Sequence, residues 1–138
     1  MPARFVHRYT VQPQEIDFQG RASNEVYLRW LNEAAVAHSS AHGLPLEAYR
    51  KMGAGFVVRR HEIEYRIPAM AGDELLITTW VASIGRATSL RRYEVSRAKD
   101  GARIAKASTL WAFVSYETGR LTSIPPEVAS KFQIVADA

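Results

Sequence analysis

Cysteine is absent from the 138 residues, so no disulfide, thiolate nucleophile or thiolate metal site can form, and the chain suits a reducing compartment. Glycine and proline number only 8 and 6. They are scattered, which leaves no flexible linker, low-complexity tract or internal repeat to mark a second domain. No apolar run approaches the length of a membrane span. The opening residues, Met1 to Tyr9, lack the apolar stretch and small-residue cleavage site of an export signal. These absences predict one soluble globular domain over residues 1–138, located in the cytoplasm.

What is present fits a packed core: 47% of residues are hydrophobic and 23% charged. The formal net charge of +4 and a pI near 9.6 favour anionic partners. The basic residues are spread through the chain rather than gathered in a tail. No aromatic-basic interleaving accompanies them, so nucleic acid is not an expected partner. A small ligand carrying phosphates satisfies the same balance.

Periodicity divides the chain into a strand, a long helix and four more strands. Phe5 to Val11 alternates as a strand. From about Ser23 to Ala41 the apolar period becomes helical, with Tyr27, Leu31, Ala34, Ala35 and His38 three or four apart and Trp30 flanking the stripe. Ser23 or Asn24 can cap its start, and Gly43 with Pro45 ends it. Strands follow over Phe56 to Ile67, Glu74 to Ile84, Thr88 to Lys99 and Arg103 to Tyr116, joined by Gly72-Asp73, Gly85-Arg86 and Asp100-Gly101 turns. This is an α+β plan, an antiparallel sheet wrapped around one central helix, with a sheet edge suited to pairing with a second copy.

The chemistry concentrates where the polar turn Glu15-Ile16-Asp17-Phe18-Gln19-Gly20-Arg21-Ala22 runs into the helix. The unpaired N–H groups and positive dipole end of a helix attract negative oxygen. Asp17 beside such an end is a candidate nucleophile or base, and Asn24 a candidate to position water or a carbonyl. As alternatives, Asp17 ties its own loop and Asn24 caps the helix. Tyr27, one turn further on, can reach a substrate or Asp17, although an aromatic at this spacing reads as core. His38 and His42 have the spacing of a metal pair. No third ligand follows, so no metal is expected.

The run Asp17-x-x-Gly20-x-x-x-Asn24-x-x-Tyr27-Leu28-Arg29-Trp30-Leu31-x-Glu33-Ala34 resembles the motif at the head of the central helix in hotdog-fold acyl-CoA thioesterases, in the branch of the 4-hydroxybenzoyl-CoA and long-chain acyl-CoA enzymes. Phe56-Val57-Val58-Arg59-Arg60, Ile63-Glu64-Tyr65-Arg66, Gly72-Asp73-Glu74-Leu75 and Phe113-Val114-x-Tyr116-x-x-Gly119-Arg120 continue the likeness in the same order across nearly the whole chain. Arg21 and Ser23 depart from it, standing where many relatives carry His and Asn.

The resemblance implies a five-stranded antiparallel sheet around the helix and a homodimer or dimer of dimers. Its active sites would lie between two copies and hydrolyse an acyl-CoA without cofactor. Asp17 would be the nucleophile or base, and a backbone N–H of the first helical turn the oxyanion donor. Glu33 is the rival carboxylate, since some hotdog thioesterases place theirs on the helix. Arg59, Arg60 and Arg86 are candidate contacts for the CoA phosphates. Strict alternation lets only one of Arg59 and Arg60 face a given groove. The same fold serving only to bind an acyl ligand is the alternative function.

Overall fold

The computed structural model describes residues 3–137. Strand β1 (Phe5–Thr10) leads through a 3-10 turn (Pro13–Glu15) to the central helix α1 (Asn24–Ala41). A short helix α2 (Leu46–Met52) follows, then strands β2 (Ala54–Tyr65), β3 (Glu74–Ile84), β4 (Thr88–Arg97) and β5 (Arg103–Ser115), and a last turn of helix α3 (Pro126–Ala129). The five strands form one antiparallel sheet in the order β1-β3-β4-β5-β2. This is the expected α+β hotdog arrangement.

Helix α1 lies along the sheet because its apolar stripe is continuous. Val26, Tyr27, Trp30, Leu31, Ala34, Ala35 and His38 are all buried. Trp30, expected at the flank, is fully enclosed. The small side chains Ala34 and Ala35 let the helix approach the sheet, where Leu75, Ile77, Tyr93, Val95 and Ile104 meet it in one core cluster. A second cluster around Leu44, Tyr49, Phe113, Ile124 and Val128 fills the other end of the molecule.

The helix ends as its sequence requires. Gly43 adopts φ 85°, and the N–H groups of Gly43 and Leu44 return to the carbonyls of Ser40 and Ser39, which closes a Schellman motif. At the other end Ser23 is the N-cap, but its side chain donates or accepts no capping hydrogen bond.

Bulges correct the strict alternation expected from sequence. In β2 the pairing shifts between Val58 and Arg60, leaving Arg59 as the extra residue opposite β5. Phe56 packs on Phe113 from the inner face, and so does Ile63 on the core cluster, although 56 and 63 differ in parity. Arg59 and Arg60 are consequently both exposed. In β3 a similar shift between Val81 and Ser83 buries Val81 and Ala82 in succession. Strand β2 also ends at Tyr65, so Ile67 falls in the following turn.

Candidate active site

The polar turn folds back on itself immediately before α1. Ile16 and Ala22 bridge as a minimal antiparallel pair, and Asp17 and Arg21 close the turn through Asp17 N–H to the Arg21 carbonyl at 2.9 Å. Gly20, at φ 83°, lets its own N–H return to the Asp17 carbonyl at 3.0 Å. Only glycine adopts that conformation without strain. The Asp17 carboxylate accepts a hydrogen bond from Gln19 N–H at 2.8 Å through Oδ1, which orients the side chain and leaves Oδ2 free of any protein donor among the described residues. Phe18, at the tip, is 96% exposed.

The anchor beneath this turn is Glu15, which the sequence reading passed over although it stands two residues from Asp17. Its side chain is 4% exposed. The carboxylate accepts hydrogen bonds from Tyr9 Oη at 2.7 Å, Gln12 N–H at 2.8 Å and Trp30 Nε1 at 3.0 Å, and an ion pair with Arg29 completes its shell. Burial by itself raises the carboxyl pKa, but these donors together hold it below the ordinary value. Glu15 thus joins β1, the 3-10 turn and α1. Its carbonyl also accepts from Ser23 N–H at 3.0 Å, which fixes where the helix begins. The signal in the sequence was the spacing itself: a Glu fourteen and fifteen residues before an Arg-Trp pair.

At the head of α1 the Ser23 carbonyl accepts from Val26 N–H at 3.3 Å. The N–H groups of Asn24 and Glu25 have no protein acceptor among the described residues and point with the helix dipole toward its open end. The Asn24 side chain is exposed. Tyr27 is 3% exposed, tilted against Trp30 and edge-on to Tyr65. It makes no hydrogen bond to Asp17, and burial raises its phenol pKa. Glu33 is half-buried and lies 3.8 Å from the Arg29 guanidinium, one helical turn away.

The basic candidates are not gathered at this turn within one chain. Arg59 and Arg60 sit midway along β2, an edge strand with no neighbour on its outer side among the described residues. Arg86 lies in the β3–β4 hairpin, where its Nε donates to Ser123 Oγ at 3.2 Å. That hairpin is at the far end of β3 from Asp73 and Val11, which border the Asp17 side of the molecule. The length of the strand, roughly 35 Å at the usual rise per residue, separates Arg86 from Asp17 of the same chain.

His38 and His42 meet edge to face, with ring centroids 4.6 Å apart, but both Nδ1 atoms are engaged, His38 by Arg91 and His42 by the Lys131 carbonyl. Among the described residues there is no group of three or more His, Asp or Glu side chains arranged to hold a metal. No helix among them is long and apolar enough to cross a membrane.

A five-stranded antiparallel sheet of this order around one long helix has counterparts among known proteins. The family described as the thioesterase-like superfamily matches residues 11–132. The chain belongs to that superfamily. Among solved structures, a hypothetical protein from Aquifex aeolicus superposes with a TM-score of 0.87 at 29% identity, covering 94% of this chain and 99% of the other. A 1,4-dihydroxy-2-naphthoyl-CoA thioesterase from Synechocystis shares the fold, with a TM-score of 0.86 at 20% identity over 93% of this chain and 94% of its own. A chloroplastic palmitoyl-acyl carrier protein thioesterase from Gossypium hirsutum is 27% identical over 94% of this chain. The superfamily member described here spans about a third of the length of such plant relatives, 33% in that case.

Proposed function

We propose that the protein is a thioester hydrolase that acts on acyl-CoA and releases a carboxylic acid and free CoA. The observation that carries this reading is the Asp17 carboxylate, oriented by Gln19 with one oxygen free, on a turn continuous with the unpartnered N–H groups of Asn24 and Glu25. Membership of the thioesterase-like superfamily supports it.

In the reaction a first-turn N–H receives the negative charge that develops on the thioester carbonyl oxygen; one such donor is worth ~3 kcal/mol in the barrier. Asp17 either attacks the carbonyl carbon, expelling thiolate and forming a mixed anhydride that water opens, or removes a proton from the attacking water. In both routes the C–S bond breaks, the water oxygen ends in the acid, and thiolate leaves without needing a strong acid. Asn24 positions the water or the carbonyl. Tyr27 forms the wall behind them.

We further propose that the working unit is at least a dimer joined along β2, with residues 1–138 as one hotdog domain acting in the cytoplasm. The free edge of β2 exposes Val57 and Val58, an arrangement that proteins ordinarily cover. Pairing there brings basic side chains of one copy, among Arg59, Arg60 and Arg86, toward the Asp17 turn of the other, where they hold the phosphates of CoA.

The test is thiol release by the purified protein from aromatic, short-chain and long-chain acyl-CoAs, with acyl carrier protein thioesters in parallel because the plant relatives are named for that carrier. Release from at least one acyl-CoA is expected. Silence with every thioester would leave ligand binding as the function, and turnover of the carrier-protein thioesters alone would overturn the CoA assignment.

A further inference from the structure

Strand β4 presents Ser89, Arg91, Tyr93 and Val95 to the interior. The pattern calls for an apolar residue at the second of these positions. Arg91 occupies it and is 6% exposed. Its Nη1 donates to His38 Nδ1 at 2.9 Å and to Thr79 Oγ1 at 3.0 Å. Neither acceptor carries negative charge: Thr79 offers a hydroxyl oxygen, and His38 a neutral ring nitrogen that burial and the charge of Arg91 keep from being protonated until about pH 3. Arg91 joins none of the ion pairs among the described residues.

An enclosed charge without a counterion is costly and uncommon. The guanidinium is also incompletely used. Nε and Nη2 have no acceptor among the described residues, yet they are not among the fully buried unpaired side-chain atoms found there, which are His38 Nε2 and Tyr93 Oη. Arg91 also lines a half-open cavity of about 150 Å³ together with Phe56, Val81, Ile84, Trp111 and Phe132. A cavity of that volume accommodates one benzene ring. Nε and Nη2 form the edge of a guanidinium that grips a carboxylate with two parallel hydrogen bonds. The adjacent Arg92 does this to Asp137 on the outer face of the same strand, at 3.2 and 2.6 Å.

We propose that this cavity binds a small carboxylate whose apolar body is no larger than one aromatic ring or a short aliphatic chain, with its charged end paired to Nε and Nη2 of Arg91. The ligand's ring or chain lies against Phe56, Val81, Ile84 and Trp111. The site is separate from the Asp17 turn. Ala35 and Ser39, in the second half of α1, line the cavity, and Ser39 is about 22 Å along the helix from Asn24 at its head. Binding there does not depend on hydrolysis at Asp17.

The test is calorimetric titration of the full chain with benzoate and hexanoate, and with the neutral analogues benzamide and hexanol. The wild type is expected to bind one carboxylate per chain at least tenfold more tightly than the neutral partner of the same shape. Arg91→Met, which replaces the charge with an apolar chain of similar length, is expected to abolish that preference. Val36→Trp is made at a half-exposed position on the cavity wall and tests the site without touching Arg91; it is expected to weaken both carboxylates at least tenfold. Amide shifts on adding benzoate should centre on Ser89 to Tyr93 and Ser39. Equal affinity for acid and amide, full binding by either variant, shifts centred on Asp17 to Asn24, or no heat with carboxylate at millimolar concentration would each overturn the proposal.

Discussion

Arg91 Nη1 lies 2.9 Å from His38 Nδ1. An arginine only donates, so the histidine accepts at Nδ1 and, being neutral, carries its proton on Nε2. This contact joins the middle of β4 to the second half of α1. It also blocks protonation of His38 at the one ring nitrogen that is lone-pair basic.

A pH dependence of stability follows. Burial first, then the charges of Arg91 and His42, push His38 from 6.5 to about 3. The unfolded chain takes up a proton near pH 6.5 that the folded chain refuses until about pH 3. Stability is therefore greatest above that upper value and declines as pH falls through the window. Unfolding free energies from urea titrations between pH 7 and 5, above the carboxylate range, should fall with acid, His38 contributing no more than about 1.4 kcal/mol per pH unit. In His38→Gln the slope should flatten. An unchanged slope would assign the effect to another group.

Glu15→Gln should destabilise the fold by about 2–4 kcal/mol, because an amide NH2 then faces donors that a carboxylate accepted, and the Arg29 partner loses its anion. The folded-state pKa of Glu15 is depressed, so its contribution is complete above its ordinary value near 4.5 and is lost as pH drops below it. The variant should accordingly lose acid sensitivity below that pH. Thermal melts of both proteins at pH 7 and pH 3.5 make the comparison.

Asp17→Asn keeps the Oδ1 acceptor for Gln19 N–H, so the turn and the melting temperature should be preserved while thioester hydrolysis falls at least 100-fold, the scale of losing a general base. Glu33→Gln is the control and should retain near-wild-type turnover. Thiol release by the two variants decides between the carboxylates; loss in Glu33→Gln with retention in Asp17→Asn would reverse the assignment.

Gly20→Ala places a side chain at φ 83°, which costs about 1–2 kcal/mol for an L-residue in the left-handed region. No atom lies within 4 Å of the added Cβ, so the penalty is conformational rather than steric. The turn is expected to relax and carry Asp17 out of register with the head of α1. Activity should drop by a larger factor than the melting shift accounts for, as read from kcat and Tm on the same preparation.

Light scattering on the intact chain should give at least twice its mass of 15.5 kDa. Val57→Lys combined with Val58→Lys puts two charges on the open edge of β2, and charged edges resist strand pairing. The double variant should run as a monomer and lose hydrolysis if each site needs both copies. A monomeric wild type would remove the shared-site reading.

Much of the architecture was legible because it depends on local periodicity. The stripe from Tyr27 to His38, the Gly43 terminus and the Asp100-Gly101 hairpin each follow from side-chain spacing or from a conformation that few residues adopt. The bulge at Arg59 was not legible. An extra residue in a strand looks like any other until its partner strand is present, so the parity of Phe56 and Ile63 could not be connected. The role of Glu15 was hidden for a similar reason: its donors come from Tyr9, Arg29 and Trp30, on two elements whose meeting is a tertiary event.

Arg91 marks the boundary most clearly. It shares the inward face of β4 with Tyr93 and Val95, but spacing along a strand carries no information about what waits there. Sequence by itself determined the strand-helix-strand order, the family likeness and the Asp17 turn, because hydrophobic period, glycine geometry and motif are written along the chain. Tertiary structure alone decided that Arg91 faces His38 and Thr79 with no anion among the described residues, and that Arg86 stands a strand's length from Asp17. Charges and cavities acquire their energies from neighbours distant in sequence, and only folding selects those neighbours.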